Sequence, residues 1–177
     1  ARAVRDTKIN SLYEGTNYIQ SMDLITRKWP LHKGQAFAGL LQDIESLITS
    51  ERAAYPELER EFAKLDKALR AYQELQGITL GYFQQGKIEL VASFARRILT
   101  ATGQLLGAHF LLEQAVIAQS HLRELEKDHY DYNYYLGKTL SARFYLNQIL
   151  PNVWNTTDLL REGDPTVLHC PDEIFAF

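Results

Sequence analysis

From Lys87 to about Asp128 the chain holds a helical pattern unbroken by proline. As one continuous helix this stretch would be about 60 Å long, at 1.5 Å rise per residue. A rod of that length needs other helices alongside it to cover its apolar face. Gly103 is the one point where a bend is expected.

The rest of the chain supplies those neighbours. Phe37, Leu40, Leu41, Ile44, Leu47 and Ile48 form one apolar stripe, while Gln42, Asp43 and Glu45 fall elsewhere. Pro56 suits the first turn of a further helix. Leu58, Phe62, Leu65, Leu69 and Tyr72 carry that helix forward at helical spacing, and Gly86 closes it. Residues 131–150 read as another helix, stopped by Pro151. A short one follows to Glu162, with Gly163 just past its end. Leu is abundant, Val is scarce, and no alternating β-rich run appears. The fold class that follows is all-α: an up-and-down antiparallel bundle of long helices. Leu40, Ile44, Leu65, Leu69, Leu105 and Leu112 are its expected core.

The N-terminal part reads differently. Residues 1–10 resemble the end of a helix, and Ser11 to Thr16 form a turn around Gly15. Asn17 is the expected N-cap of the next helix, with Gln20 in the capping-box position. Tyr18, Met22, Ile25 and Trp29 share a face of that helix, and Pro30 stops it. The organisation expected is therefore residues 1–29, a linker at 30–34, a bundle at 35–162 and an irregular tail at 163–177. The opening ARAVRDTK is already helical in composition, which reads as a cut into a longer chain.

Composition excludes several classes of function. With 19 basic and 22 acidic residues the formal charge is −3, so no basic excess exists to neutralise a nucleic acid. No apolar run approaches the ~18 residues of a membrane span. The single cysteine, Cys170, rules out an internal disulfide and points to a reducing compartment, the cytoplasm. A di-iron bundle needs two Glu-x-x-His pairs, and only Glu126 with His129 has that spacing. His109 lies in an apolar stretch and reads as a hydrogen-bonded core or interface residue. Gly77/Gly81 and Gly103/Gly107 are expected to let another helix approach closely. Arg27-Lys28 and Arg96-Arg97 read as solvated faces.

One turn stands apart. Arg5-Asp6 precede Tyr13-Glu14-Gly15-Thr16, and Ile19-Gln20 follow. In this setting the segment resembles the catalytic turn of the acyl-CoA dehydrogenases. The later helices and the FYLNQILP segment are similar to the C-terminal helical extension of one larger-subunit branch. That branch includes mycobacterial-type enzymes of broad acyl-chain range.

The resemblance implies an oxidoreductase that uses FAD to α,β-dehydrogenate acyl-CoA thioesters in fatty-acid oxidation. It implies Glu14 as the catalytic base, Tyr13 and Gly15 beside the acyl chain, and Thr16 against the flavin nucleotide. It also implies an electron-transferring flavoprotein as acceptor and a homo-oligomer, a dimer. Metal is not called for. Tyr18 departs from the small or amide side chain common at its position in the family. The competing reading is a non-enzymatic helical module for oligomerisation or docking.

Overall fold

The computed structural model describes Thr7 and residues 16–175. Tyr13, Glu14 and Gly15 lie outside the described residues, as does the expected helix end at 1–10 apart from Thr7, which is helical. Helix α1 spans Asn17–Asp23 and continues through a π-helical turn at Leu24–Lys28. Then come α2 (Gln35–Glu51), α3 (Glu59–Gln84), α4 (Ile88–Glu124), α5 (Tyr132–Gln148) and α6 (Asn152–Glu162). Short 3-10 turns join α1 to α2 and α2 to α3, and two more follow in the tail, at Thr166–Leu168 and Asp172–Phe175. No strand occurs among the described residues.

Side-chain pairs set the directions. Glu45 meets Arg70 and Arg52 meets Glu59, so α2 and α3 run antiparallel. Tyr72 bonds Thr102 across α3 and α4, which a tight turn connects. Gly107 lies against the Tyr145 ring, Gln119 meets Thr139 and His121 stacks on Tyr135, so α5 runs back along α4. Against α3, by contrast, partner numbers rise together. Lys64 bonds Asn147, Ala71 bonds Thr157 and Glu74 pairs with Arg161. Both α5 and α6 therefore run parallel to α3, one after the other. They act as a single bent rod with its elbow at Ile149–Pro151. The expected up-and-down bundle is present, with this composite rod as its fourth member.

The core follows the periodic stripes. Leu58, Phe62, Leu65, Leu69 and Tyr72 are fully buried, as are Ile44, Leu105 and Leu112 to within 1%. Leu40 is only partly buried, packed at the edge of that core. Burying Phe62, Leu65, Leu69, Tyr72 and Leu75 of α3 contributes on the order of 10 kcal/mol before entropy is counted, at roughly 1.5–3 kcal/mol each. Helix α4 is continuous through Gly103, which therefore does not interrupt it.

Three local expectations are corrected. Thr16, not Asn17, caps α1: its hydroxyl accepts from the Ile19 N–H at 3.4 Å. Tyr18 is exposed rather than on the buried face of α1, whereas Ile25 and Trp29 are buried. Gly77, Gly81 and Gly103 meet no neighbour within 4 Å. Only Gly107 is approached, and by the Tyr145 ring rather than by a helix backbone. The other glycines sit off the faces that the helices turn toward one another.

Candidate functional site

The candidate turn enters the described structure at Thr16. The residue is extended (φ −77°, ψ 162°) and exposed, and it starts α1. Its oxygen serves the helix by accepting from Ile19. The hydroxyl hydrogen remains free to donate outward. That arrangement leaves one outward-facing donor at the start of α1.

The helix that follows anchors this edge to the bundle. Trp29 packs 6.0 Å from Phe37 and edge-on to Tyr72 at 6.4 Å, centroid to centroid. Thr102 gives its proton to the Ile98 carbonyl at 2.8 Å, so Tyr72 must donate to Thr102 at 2.6 Å. Burial pushes the Tyr72 phenol well above its ordinary range, which keeps it a neutral donor. Past Pro30, His32, Lys33 and Gly34 are all left-handed, with φ of 52°, 59° and 84°. The chain reverses there and enters α2.

Beside this reversal lies an apolar groove of about 630 Å³, walled by Trp29, Pro30, Phe37, Leu41, Leu80 and Phe83. No carboxylate lines it, and its polar members are Thr26, Lys33 and Gln76. The Thr26 hydroxyl is committed to the Met22 carbonyl, so the groove is mostly apolar with one cation beside it. Sequence reading missed the groove because its walls come from three separate helices.

The remaining sequence candidates are scattered. His109 is buried as expected, but its Nδ1 has no hydrogen-bond partner, so the expected bond is absent. Burial holds its pKa below the ordinary value, against the opposing pull of Glu113 and Asp43. Glu126 and His129 lie in an exposed turn, where His129 Nδ1 accepts from the Asp131 N–H at 3.1 Å. Among the described residues no three His, Cys, Asp or Glu side chains are grouped to hold a metal. Cys170 is exposed, with its thiol 3.6 Å from the Thr166 carbonyl. No helix among the described residues is long and apolar enough to cross a membrane.

Comparison with known proteins connects these pieces. Two butyryl-CoA dehydrogenases of Syntrophomonas wolfei are each 34% identical to this chain, over 98% and 99% of its length. A broad-specificity linear acyl-CoA dehydrogenase of Mycobacterium tuberculosis is 29% identical over 97% of it. The chain spans only 28–29% of the length of these relatives. Residues 40–171 match the family described as acetyl-CoA dehydrogenase C-terminal like, and the chain belongs to that family.

Proposed function

We propose that this chain is the C-terminal part of a flavin-dependent acyl-CoA dehydrogenase. In this reading residues 1–29 end the catalytic helical domain and residues 35–162 form the added bundle. The observation that carries the proposal is the extent of the similarity. It covers 98–99% of the chain, so it runs through the Tyr13–Thr16 turn as well as the bundle. FAD, when bound in the whole enzyme, would supply the hydride-accepting chemistry for the substrate β-carbon.

Glu14 removes the α-proton, which is acidic only while the thioester carbonyl is polarised. A carboxylate in a site dried by substrate has its pKa raised toward the value such a base needs. The Glu14 backbone N–H donates to the thioester oxygen. Gly15 leaves room for the acyl chain, Tyr13 lines its pocket, and Thr16 donates to the flavin nucleotide. An electron-transferring flavoprotein is the acceptor, and the site of action is the cytoplasm. The branch with broad acyl-chain range, the mycobacterial type, is the one we favour.

The bundle's own role is docking. Phe110, Ile117, Tyr134 and Phe144 are more than half exposed on α4 and α5. In the whole enzyme these side chains are covered, by the upstream domains or by the second subunit of a dimer.

The test is Glu14→Gln in the whole enzyme. The change keeps side-chain size and the backbone N–H but removes the basic oxygen. Anaerobic flavin bleaching on mixing with saturating acyl-CoA should slow by on the order of 10²–10⁴-fold, while the thioester still binds. Bleaching at an unchanged rate would place the base elsewhere.

A further inference from the structure

Arg96 and Arg97 read from sequence as a solvated pair, but the fold gives them a setting. They line a polar cleft of about 430 Å³, together with Ser93, Thr100 and Gln104 of α4 and Asn152, Asn155 and Thr156 of α6. The cleft lies where α4 passes the elbow between α5 and α6.

Three observations concern its chemistry. First, Arg27, Arg52, Arg70, Arg123, Arg143 and Arg161 each face a carboxylate within 4 Å. Arg96 and Arg97 have no such partner among the described residues, and no Asp or Glu lines the cleft. Arg60 also lacks a carboxylate partner among the described residues but lines none of the described clefts, so what sets Arg96 and Arg97 apart is that two adjacent unpaired cations share a concave site. Second, Gln104 lines the cleft with its Oε1 sealed from solvent and unbonded. Its side-chain N–H groups form no hydrogen bond among the described residues, so they are the donors it has to offer. Third, the hydroxyls are already committed as donors. Ser93 donates to the Leu90 carbonyl, Thr100 to that of Arg96 and Thr156 to that of Asn152. The amides at the start of α6 are used too: Asn152 and Val153 donate to Ile149 and Leu150. The free donors are therefore the two guanidinium groups and the amides of Gln104 and Asn155.

We propose that this cleft binds a phosphoryl anion through Arg96 and Arg97, with Gln104 and Asn155 completing the donor set. Planar guanidinium forks match phosphate oxygens in pairs, and such charge-assisted bonds are the strong ones. The volume exceeds what a single phosphate fills, so a pyrophosphate or the phosphorylated end of a larger molecule is the class it suits. The inference is independent of the role proposed for Glu14.

The experiment titrates the protein carrying this chain with inorganic phosphate, pyrophosphate and coenzyme A by calorimetry. Pyrophosphate should bind saturably. Arg96→Gln with Arg97→Gln should weaken it by roughly tenfold or more, as expected for losing charge-assisted bonds. Asn155→Asp puts a carboxylate beside the arginines and should weaken it likewise. Both variants change exposed side chains, and unchanged melting curves would confirm folding. Glu14→Gln should leave pyrophosphate binding as it is. Coenzyme A binding more tightly than pyrophosphate, with the same loss in the arginine variant, would name a nucleotide-linked phosphate as the source. Equal affinity for the two would name free phosphate groups. Absence of saturable binding by all three at millimolar concentration would overturn the proposal, and so would undiminished pyrophosphate affinity in the arginine variant.

Discussion

At the scale of single residues, His109 is the group whose protonation the fold resists. It is buried, its Nδ1 has no partner, and burial holds its pKa below the ordinary 6.5. Glu113 and Asp43 pull the other way but do not win. The unfolded chain therefore binds this proton more readily than the folded one. Stability contributed by the neutral ring is fully present above about pH 6.5 and is lost as pH falls below it. Asp23 and Glu59 titrate in a separate window. Their arginine partners hold both carboxyls below their ordinary range, so their share is lost only as pH falls through that range and lower. Chemical denaturation between pH 7.5 and 5 should thus show stability declining, and His109→Leu should remove most of the decline. A slope that persists in the leucine variant would assign it to another group. Sequence placed this histidine in an apolar stretch correctly. It could not show the missing bond, because that depends on which side chains the neighbouring helices bring near.

At the scale of elements, the helix ends are where small changes are felt most. Gly163 closes α6 at φ +60°, and a Cβ there would overlap the Tyr82 hydroxyl, which donates to the Leu160 carbonyl at 2.5 Å. Gly34 opens α2 at φ +84°, but a Cβ there would meet only the Trp29 carbonyl oxygen at 3.8 Å, an ordinary contact. Both positions penalise alanine by about 1–2 kcal/mol for the left-handed backbone. Only Gly163→Ala also disturbs a tertiary hydrogen bond, worth about 1 kcal/mol more. Thermal melts should rank Gly163→Ala well below Gly34→Ala, and equal losses would mean that Tyr82 moves aside freely. The same contrast explains what was legible in the sequence. The α3 stripe from Leu58 to Tyr72 and the stop at Gly163 depend on local geometry, and both are as read. The π-helical turn at Leu24–Lys28 and the left-handed His32 and Lys33 were not readable. They occur where the chain reverses around the buried Trp29, which packs on Phe37 and Tyr72. The Arg96–Arg97 cleft needs α6 folded back along α4, a juxtaposition that no local spacing encodes.

At the scale of the whole molecule, the bundle leaves no interior room for a cofactor. Leu65, Leu69, Leu105 and Leu112 fill its centre at 0–1% exposure. The relatives are more than three times as long as this chain, which covers 28–29% of them. Of the residues that the family resemblance assigns to the turn, Thr16 alone is described, and it is an exposed edge rather than a pocket. A ligand the size of FAD is held tightly only when most of its surface is enclosed, typically 70–90% for drug-sized molecules. The 177-residue chain by itself should therefore bind neither FAD nor acyl-CoA tightly. Titration with FAD, followed by absorbance and calorimetry, should show no saturable micromolar binding that shifts the flavin spectrum, since a phosphoryl contact at Arg96 and Arg97 leaves the isoalloxazine ring in water. The groove beside Trp29 does not alter this expectation, because its walls are mostly apolar and Thr26, Lys33 and Gln76 are its only polar lining among the described residues. Saturable micromolar binding with a shifted spectrum would mean that the chain carries a flavin pocket of its own, and that the division at the Pro30 linker is wrong.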